Sequence, residues 1–349
     1  MKYAVVGGAG FIGHHIVNKL IEKGHEVVVI DDLSTGTMDN VNSKAEFYNL
    51  DISDDKDALV MTRILRNNID TVFLTAAMAR VQPSIVDPQS FNRVNVGGTL
   101  NVLLASHKAG VKRVVYSASS SCYGNTTIFP TPETAPTNPL SPYGLQKFVG
   151  EQYCRMFSQV YGLDTVCLRY FNVYGPGMPL EGAYRTVVSI FGEQYKNNKP
   201  YTITNDGNQK RDFTHVDDVV DANIRASSIT VNEGWNGQSF NIGNGDNCSV
   251  NDVIAMFDDD ATVESIGSVI EPDETLADNT LARKWLCWKP TGDLNKFIQE
   301  YKKDNSPFQK GVYINNVDSI DDKEIYWKLE DYKISTIKRN RNWFQSNLE

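Results

Sequence analysis

Tyr3-Ala4-Val5-Val6-Gly7-Gly8-Ala9-Gly10-Phe11-Ile12-Gly13 reads as a strand, a turn and a helix start with nothing between them. Residues 3–6 have strand character, glycines fall at 7, 10 and 13, and helical periodicity then fills 11–22. Glycine at those steps lets the chain turn tightly and lets backbone approach a pyrophosphate seated on the helix N-terminus. A second strand, 26–30, ends in Asp31-Asp32, about 20 residues beyond the turn, where a ribose-binding carboxylate belongs. A carboxylate there accepts hydrogen bonds from the ribose 2′-hydroxyl and repels a 2′-phosphate. The expected cofactor is therefore NAD; the plainer alternative is an acidic turn capped by Asp32.

Outward from this turn, strand candidates at 71–74, 113–117 and 165–170 alternate with helical periodicity over 55–66, 92–109 and 143–161. Such alternation makes βαβ units and a parallel sheet covered on both faces, an α/β doubly wound (Rossmann) fold. After Asn172 the rhythm breaks at Gly175-Pro176-Gly177 and Asn205-Asp206-Gly207, with a helical segment, 186–195, between them. Strand-like 239–242 and a helix candidate at 250–257 follow. The expected organisation is an NAD-binding domain over 1–173, to which 213–243 returns. A smaller mixed α/β substrate-binding lobe takes 174–212 and 244–305, and the extension 306–349 has no assigned role.

A net charge of −9 lacks the basic stripe that a nucleic-acid surface needs. It leaves room for a small anionic ligand, since one or two local arginines suffice. Five cysteines form no CxxC pair and read as reduced thiols. The start, MKYAVVGGAG, is too short and glycine-broken for a signal peptide, and no stretch approaches the ~20 apolar residues of a membrane span. The expectation is a soluble, cytoplasmic protein with no metal, since no histidine clusters with cysteines or carboxylates at ligand spacing.

Tyr143 and Lys147, four apart, share one face of a helix that Ser141 caps and Pro142 begins. A free phenol, with pKa about 10, is a poor base at neutral pH. Lys147 and the positively charged nicotinamide ring are expected to pull it down toward a general base's range. The run Ser117-Ala118-Ser119-Ser120-Ser121 ends a strand some twenty residues earlier and offers a hydroxyl to orient the substrate. The plainer alternative is a solvated helix start.

Taken together, GGAGFIG, VIDDLSTG, TAAMA (75–79), NVGGT (95–99), SASSSCYG (117–124), YGLQK (143–147), RYFNVYGP (169–176), NQKRDFTHVDD (208–218), FNIGNG (240–245) and LADNTLARKWLCWKP (276–290) resemble the extended short-chain dehydrogenase/reductase family, in its nucleotide-sugar epimerase and dehydratase branch. The resemblance covers residues 1–305. It implies an NAD-dependent 4-epimerase of UDP-hexoses or UDP-N-acetylhexosamines that works through a transient 4-keto sugar, as a homodimer packed through 92–109 and 143–161. It also implies the site. Gly7, Gly10, Phe11, Ile12 and Gly13 would hold the pyrophosphate. Asp31, Asp32, Ser34, Gly36, Asp51 and Ile52 would line the adenosine. Ala76, Ala77, Ala79, Asn95, Ser117 and Tyr170, with Tyr143 and Lys147, would surround the nicotinamide half.

Ser119, Tyr143 and Lys147 would be catalytic. Ser121, Asn172, Arg211, Glu271 and Thr275 would bind substrate, with the small Thr275 leaving room for an acetamido group. Plainer roles stand beside these: a helix cap for Asn95, a turn for Asn172, and pairing of Arg211 with Asp212 or Asp217. Two departures matter. Ser120 and Ser121 stand where dehydratases of the branch carry an Asp-Glu pair, and decarboxylases a glutamate at the first position, which weakens both alternatives. Ser268 stands where the epimerase pattern has a diphosphate-gripping arginine. A non-catalytic NAD-binding protein is the alternative from another class; it need not have kept Tyr143 and Lys147.

Overall fold

A computed structural model describes residues 1–179, 185–229 and 234–303; the extension expected over 306–349 lies outside the described residues. Strands β1 (Lys2–Val6), β2 (Glu26–Asp31), β3 (Glu46–Asn49), β4 (Thr71–Leu74), β5 (Arg113–Ser119) and β6 (Asp164–Tyr170) alternate with helices α1 (Phe11–Glu22), α2 (Asp55–Leu65), α3 (Val81–Val86), α4 (Pro88–Asn92), α5 (Thr99–Ala109) and α6 (Pro142–Tyr161). Beyond them lie β7 (Val173–Tyr174), α7 (Val187–Lys196), β8 (Tyr201–Ile203), β9 (Lys210–Arg211), β10 (Thr214–His215), α8 (Val216–Ser228) and β11 (Gln238–Ile242). β12 (Cys248–Ser249), α9 (Val250–Phe257), β13 (Val263–Ser265), α10 (Thr280–Trp285) and α11 (Leu294–Lys303) complete the described chain.

Seven strands form one parallel sheet in the order β11-β6-β5-β4-β1-β2-β3. The chain runs outward from β1 to β3, then crosses back to β4 on the other side. That reversal opens a crevice at the carboxyl ends of β1 and β4, the place where such sheets bind ligands. Both faces are covered, as the apolar strands require. Tyr3, Val5, Val27 and Val29 face one core, with α1 and α8; Ala4, Val6, Val28 and Ile30 face the other, with α2 and α5. Each fully buried Val or Ile contributes roughly 1.5–3 kcal/mol. A third core, around Phe191, Tyr201, Phe213, Phe257 and Ile298, holds α7, α9 and α11 together beyond the sheet.

The helix expected over 92–109 is two helices joined by a π-helical turn, Arg93–Gly98. Gly98 sits against Ile52, where a Cβ would come within 2.6 Å, and the Asn95 side chain bonds Met78 rather than its own helix. Strand β3, the short helices α3 and α4, and the helices α8, α10 and α11 were not expected, while β5 runs two residues beyond its expected end, to Ser119. No helix among the described residues is long and apolar enough to cross a membrane.

Candidate active site

A cavity of about 1700 Å³ runs from the glycine turn, past Tyr143, to Arg211. Its first wall is the β1–α1 turn. Gly7 has φ +88, and a Cβ on it would run into Ala76, while a Cβ on Gly13 would run into the Gly7 carbonyl. Packing therefore demands glycine at 7 and 13. It makes no such demand at Gly10, where a Cβ would meet nothing nearer than 3.4 Å. Gly10 lines the cavity with Phe11 and Ile12 at a helix start that no side chain caps. Open backbone in front of an uncapped helix start is the cradle a pyrophosphate fills.

Asp31 closes β2. Its carboxylate accepts the Ala9 N–H at 3.0 Å and the Leu33 N–H at 2.8 Å, tying the two loops together at the cavity wall. Burial raises its pKa, against the pull of those two donors. Asp32 accepts the backbone and hydroxyl of Ser34, Asp51 those of Ser53, and Asp32, Ser34, Asp51 and Ile52 all line the cavity. Ala76, Ala77 and Ala79 line it opposite. The carboxylates, as acceptors, thus suit a dinucleotide with a free ribose 2′-hydroxyl.

Five residues expected at the cofactor, Lys147 among them, stand behind the wall. Gly36 packs on Ala9, where a Cβ would approach within 2.7 Å. Asn95, almost fully buried, accepts the Met78 N–H at 2.8 Å and donates to the Met78 carbonyl and to Gln146, so it brackets the 75–80 segment. Ser117 and Tyr170 share a hydrogen bond of 3.0 Å, and Asn223 donates to the same phenol. These side chains satisfy one another, and their place is to hold the wall.

Ser119, the last residue of β5, caps the short turn that follows, accepting the Ser121 N–H and donating to the Ser121 hydroxyl at 2.9 Å. Ser141 caps α6 through the Gly144 N–H, which sets Tyr143 in the first turn. Tyr143, Ser120 and Ser121 line the cavity there. Burial raises the Tyr143 pKa; the Ser119 hydroxyl and the charge of Arg80 oppose it.

Lys147 is arranged differently from the expectation that it pulls the phenol down. Its buried ammonium lies 4.5 Å from the Tyr116 ring centroid, and burial lowers its pKa to about 8. The two side chains leave one helix face, but the ring on β5 lies beneath the second turn, and its electron-rich face draws the buried cation.

At the far end, the Arg211 guanidinium is held by Glu271 at 2.6 Å, not by Asp212 or Asp217. Glu271 also accepts from Thr204, Asn205 and Gln209, so it orients Arg211 at the cavity wall. Asp212 is occupied by the N–H groups of Asn244, Gly245 and Ala277. Asn172 donates to the Asp212 carbonyl and, at 3.4 Å, to the Thr275 hydroxyl; both residues line the cavity. Sequence reasoning missed four further cations on the cavity wall: Arg80, Arg93, Arg185 and Lys199. None lies in a motif; Arg185 directly precedes the capping threonine of α7.

A doubly wound sheet with a glycine cradle, a ribose carboxylate at its crevice and a Ser–Tyr pair beyond defines an NAD-dependent enzyme acting on a small substrate. Residues 3–243 match the model of the NAD dependent epimerase/dehydratase family, and the chain belongs to that family. The UDP-glucose 4-epimerase of Mycolicibacterium smegmatis is 36% identical over 306 residues, covering 83% of this chain and 94% of that one. The solved UDP-glucose 4-epimerase of Thermotoga maritima, with UDP-glucose, matches with a TM-score of 0.80 at 37% identity, covering 86% of this chain and 98% of that one. The UDP-glucuronic acid 4-epimerase of Bacillus cereus, with UDP-glucuronic acid and NAD, matches with a TM-score of 0.78 at 31% identity, covering 86% and 98%.

Proposed function

We propose that the protein interconverts UDP-linked hexoses, or their N-acetylated forms, at C4 through a transient 4-keto sugar. The observation that carries this reading is the placement of Tyr143, Ser120 and Ser121 on the wall of one cavity with the glycine cradle at one end and Arg211 at the other. The turn 7–13, Asp31, Asp51 and Ile52 would hold NAD, which when bound supplies reversible oxidation of a secondary alcohol. Tyr143 takes the C4 hydroxyl proton and later returns it. Ser119 would hold that hydroxyl in line, and Lys147 keeps a buried positive charge one turn below. Arg211, steadied by Glu271, anchors the diphosphate, while Ser121, Asn172 and Thr275 border the sugar as it turns over.

Ser120 and Ser121 carry no group able to expel water from C5 and C6, which favours epimerisation over dehydration. In this reading 1–173 with 213–243 is the NAD-binding domain, and 174–212 with 244–305 binds the nucleotide sugar. A homodimer would pack through α5 and α6; on α6, Leu145, Val160 and Tyr161 leave apolar surface exposed. A cytoplasmic setting suits the free cysteines. The test is a panel of nucleotide sugars, with NMR identification of products. A C4 epimer of unchanged mass supports the reading; a dehydrated or decarboxylated product, or none from any sugar, contradicts it.

A further inference from the structure

Residues 266–275 run along the cavity as a strap, and Ile266, Val269, Glu271, Pro272 and Thr275 line it. One foot of the strap stands on the loop after β8. The Ile266 N–H donates to the Ile203 carbonyl, the Asn205 N–H to the Gly267 carbonyl, and the Val269 N–H to the Asn205 side chain at 3.1 Å. The other foot stands on β9, where the Lys210 N–H donates to the Asp273 carbonyl and the Thr275 N–H to the Lys210 carbonyl. Between the feet, two side chains reach the strap from the opposite wall. Gln82, in the first turn of α3, donates its amide to the Ile270 carbonyl at 3.1 Å. Asn125 donates to the Asp273 carboxylate at 2.7 Å and accepts the Asp273 N–H at 3.2 Å. That wall carries the chemistry. Gln82 lies two residues before Ser84, whose hydroxyl accepts the Tyr143 N–H at 3.1 Å, and Asn125 follows the turn bearing Ser120 and Ser121. The strap, which grips Arg211 through Glu271, is thus fastened to the side that holds Tyr143.

These fastenings are of a kind that opens. All three bonds lie at the surface, where water can take the place of either partner. Gln82 leaves its own Oε1 buried with no hydrogen-bond partner, so release returns that oxygen to water. Ile266 and Ile270 stay exposed, and little apolar burial holds the strap down. Gly267, with φ +100 and open space where a Cβ would stand, gives it a bend that no packing fixes. We propose that the strap is a lid on the sugar, and that Gln82 and Asn125 latch it shut while the 4-keto intermediate turns over. The inference rests on the epimerase reading above. In that reaction the C4 hydride passes to NAD⁺ and the hydroxyl proton to Tyr143. A keto sugar that escapes before the hydride returns leaves NADH behind and ends turnover. A closed lid prevents this loss, and an opened one releases product.

The test exploits the reciprocal pair. Asn125→Asp sets two carboxylates face to face and breaks the latch; adding Asp273→Asn exchanges donor and acceptor and restores it. Parent and variants, loaded with NAD⁺, are given UDP-glucose or UDP-N-acetylglucosamine. NADH absorbance, free keto sugar, melting temperature and hydrogen exchange of peptides spanning 266–274 are followed. In Asn125→Asp, turnovers that end in bound NADH should become roughly 10-fold more frequent as the open state gains population. Keto sugar should appear in solution and the strap should exchange faster, with a melting temperature near the parent's. The exchanged pair should behave as the parent does. Leakage and exchange no higher in Asn125→Asp than in the parent, or leakage that Asp273→Asn does not reverse, overturns the latch and leaves the epimerase reading standing. A parent that epimerises neither sugar overturns both.

Discussion

Thr275 shows how far a single residue can be argued. Its hydroxyl accepts the Asp212 N–H at 3.2 Å and the Asn172 amide, which turns the side chain to the cavity wall and keeps it small there. If that wall borders the sugar's C2 substituent, Thr275→Tyr should abolish turnover of UDP-N-acetylglucosamine and spare UDP-glucose. The ratio of the two kcat/KM values should change by roughly 100-fold or more. Thr275→Ser, which keeps the hydroxyl, should leave the ratio near the parent's. Parent protein that turns over UDP-glucose and ignores the acetylated sugar would sink the open-wall argument. At this scale the sequence was most legible where a motif forces a backbone shape or a charge, as at Gly7, Gly13 and Asp31. It was least legible where a side chain must choose between partners. Lys147 found an aromatic ring from β5, and Arg211 found Glu271, sixty residues on; neither choice is visible in spacing. Arg80 carries no motif at all, and its placement depends on a strained backbone that only the folded chain displays.

At the scale of elements, the central strands and the helices α1, α2, α5, α6, α7 and α9 follow from period-two and period-3.6 patterns, whereas α8, α10 and α11 were not expected. The misses have local causes. Strand β3 is Glu-Phe-Tyr-Asn, an edge strand too short and polar at its ends to stand out. Helix α3 carries Pro83 in its first turn, where proline is tolerated although it reads as a breaker. The π-turn at 93–98 is fixed by Asn95 reaching out of its helix, a tertiary bond. Asn95→Ala should leave the Met78 N–H and carbonyl without that partner and lower stability by about 2 kcal/mol in urea titration. Since Asn95 stands behind the wall, NAD affinity of the folded variant should stay within a few-fold of the parent's. A variant of full stability that has lost NAD binding would return Asn95 to direct cofactor contact.

Across the whole molecule, α1 links the glycine turn to the loop that leaves the sheet. His14 donates its Nδ1–H to the Gly10 carbonyl at 2.9 Å, stacks on His15 with centroids 4.1 Å apart and closes over Gly177, and His15 meets the Pro176 carbonyl. Burial, then the neighbouring charge of His15, lowers the His14 pKa to about 4. A histidine depressed on folding contributes stability that is present above its ordinary value of about 6.5 and lost as pH falls to about 4. Asp212 works the opposite way. Burial raises its pKa to about 6, so the folded state gains from its proton as pH drops through that value. The clean measurement is therefore a difference. Between pH 6.5 and 4, the parent should lose on the order of 2–3 kcal/mol more stability than His14→Gln. Equal slopes would contradict it. How the segments 174–212 and 244–303 come together around one aromatic core was not legible, because the contacts of Phe191, Tyr201 and Phe257 join elements distant in sequence.

The central claim is that C4 is oxidised and reduced within one cavity while Tyr143 moves the proton. Its most direct test is a UDP-hexose deuterated at C4, incubated with the NAD-loaded protein and followed by NMR and mass spectrometry. The account predicts two C4 epimers, both with the deuterium still at C4, unchanged mass and no exchange with water. Deuterium lost to solvent, or a product of altered mass, would contradict it.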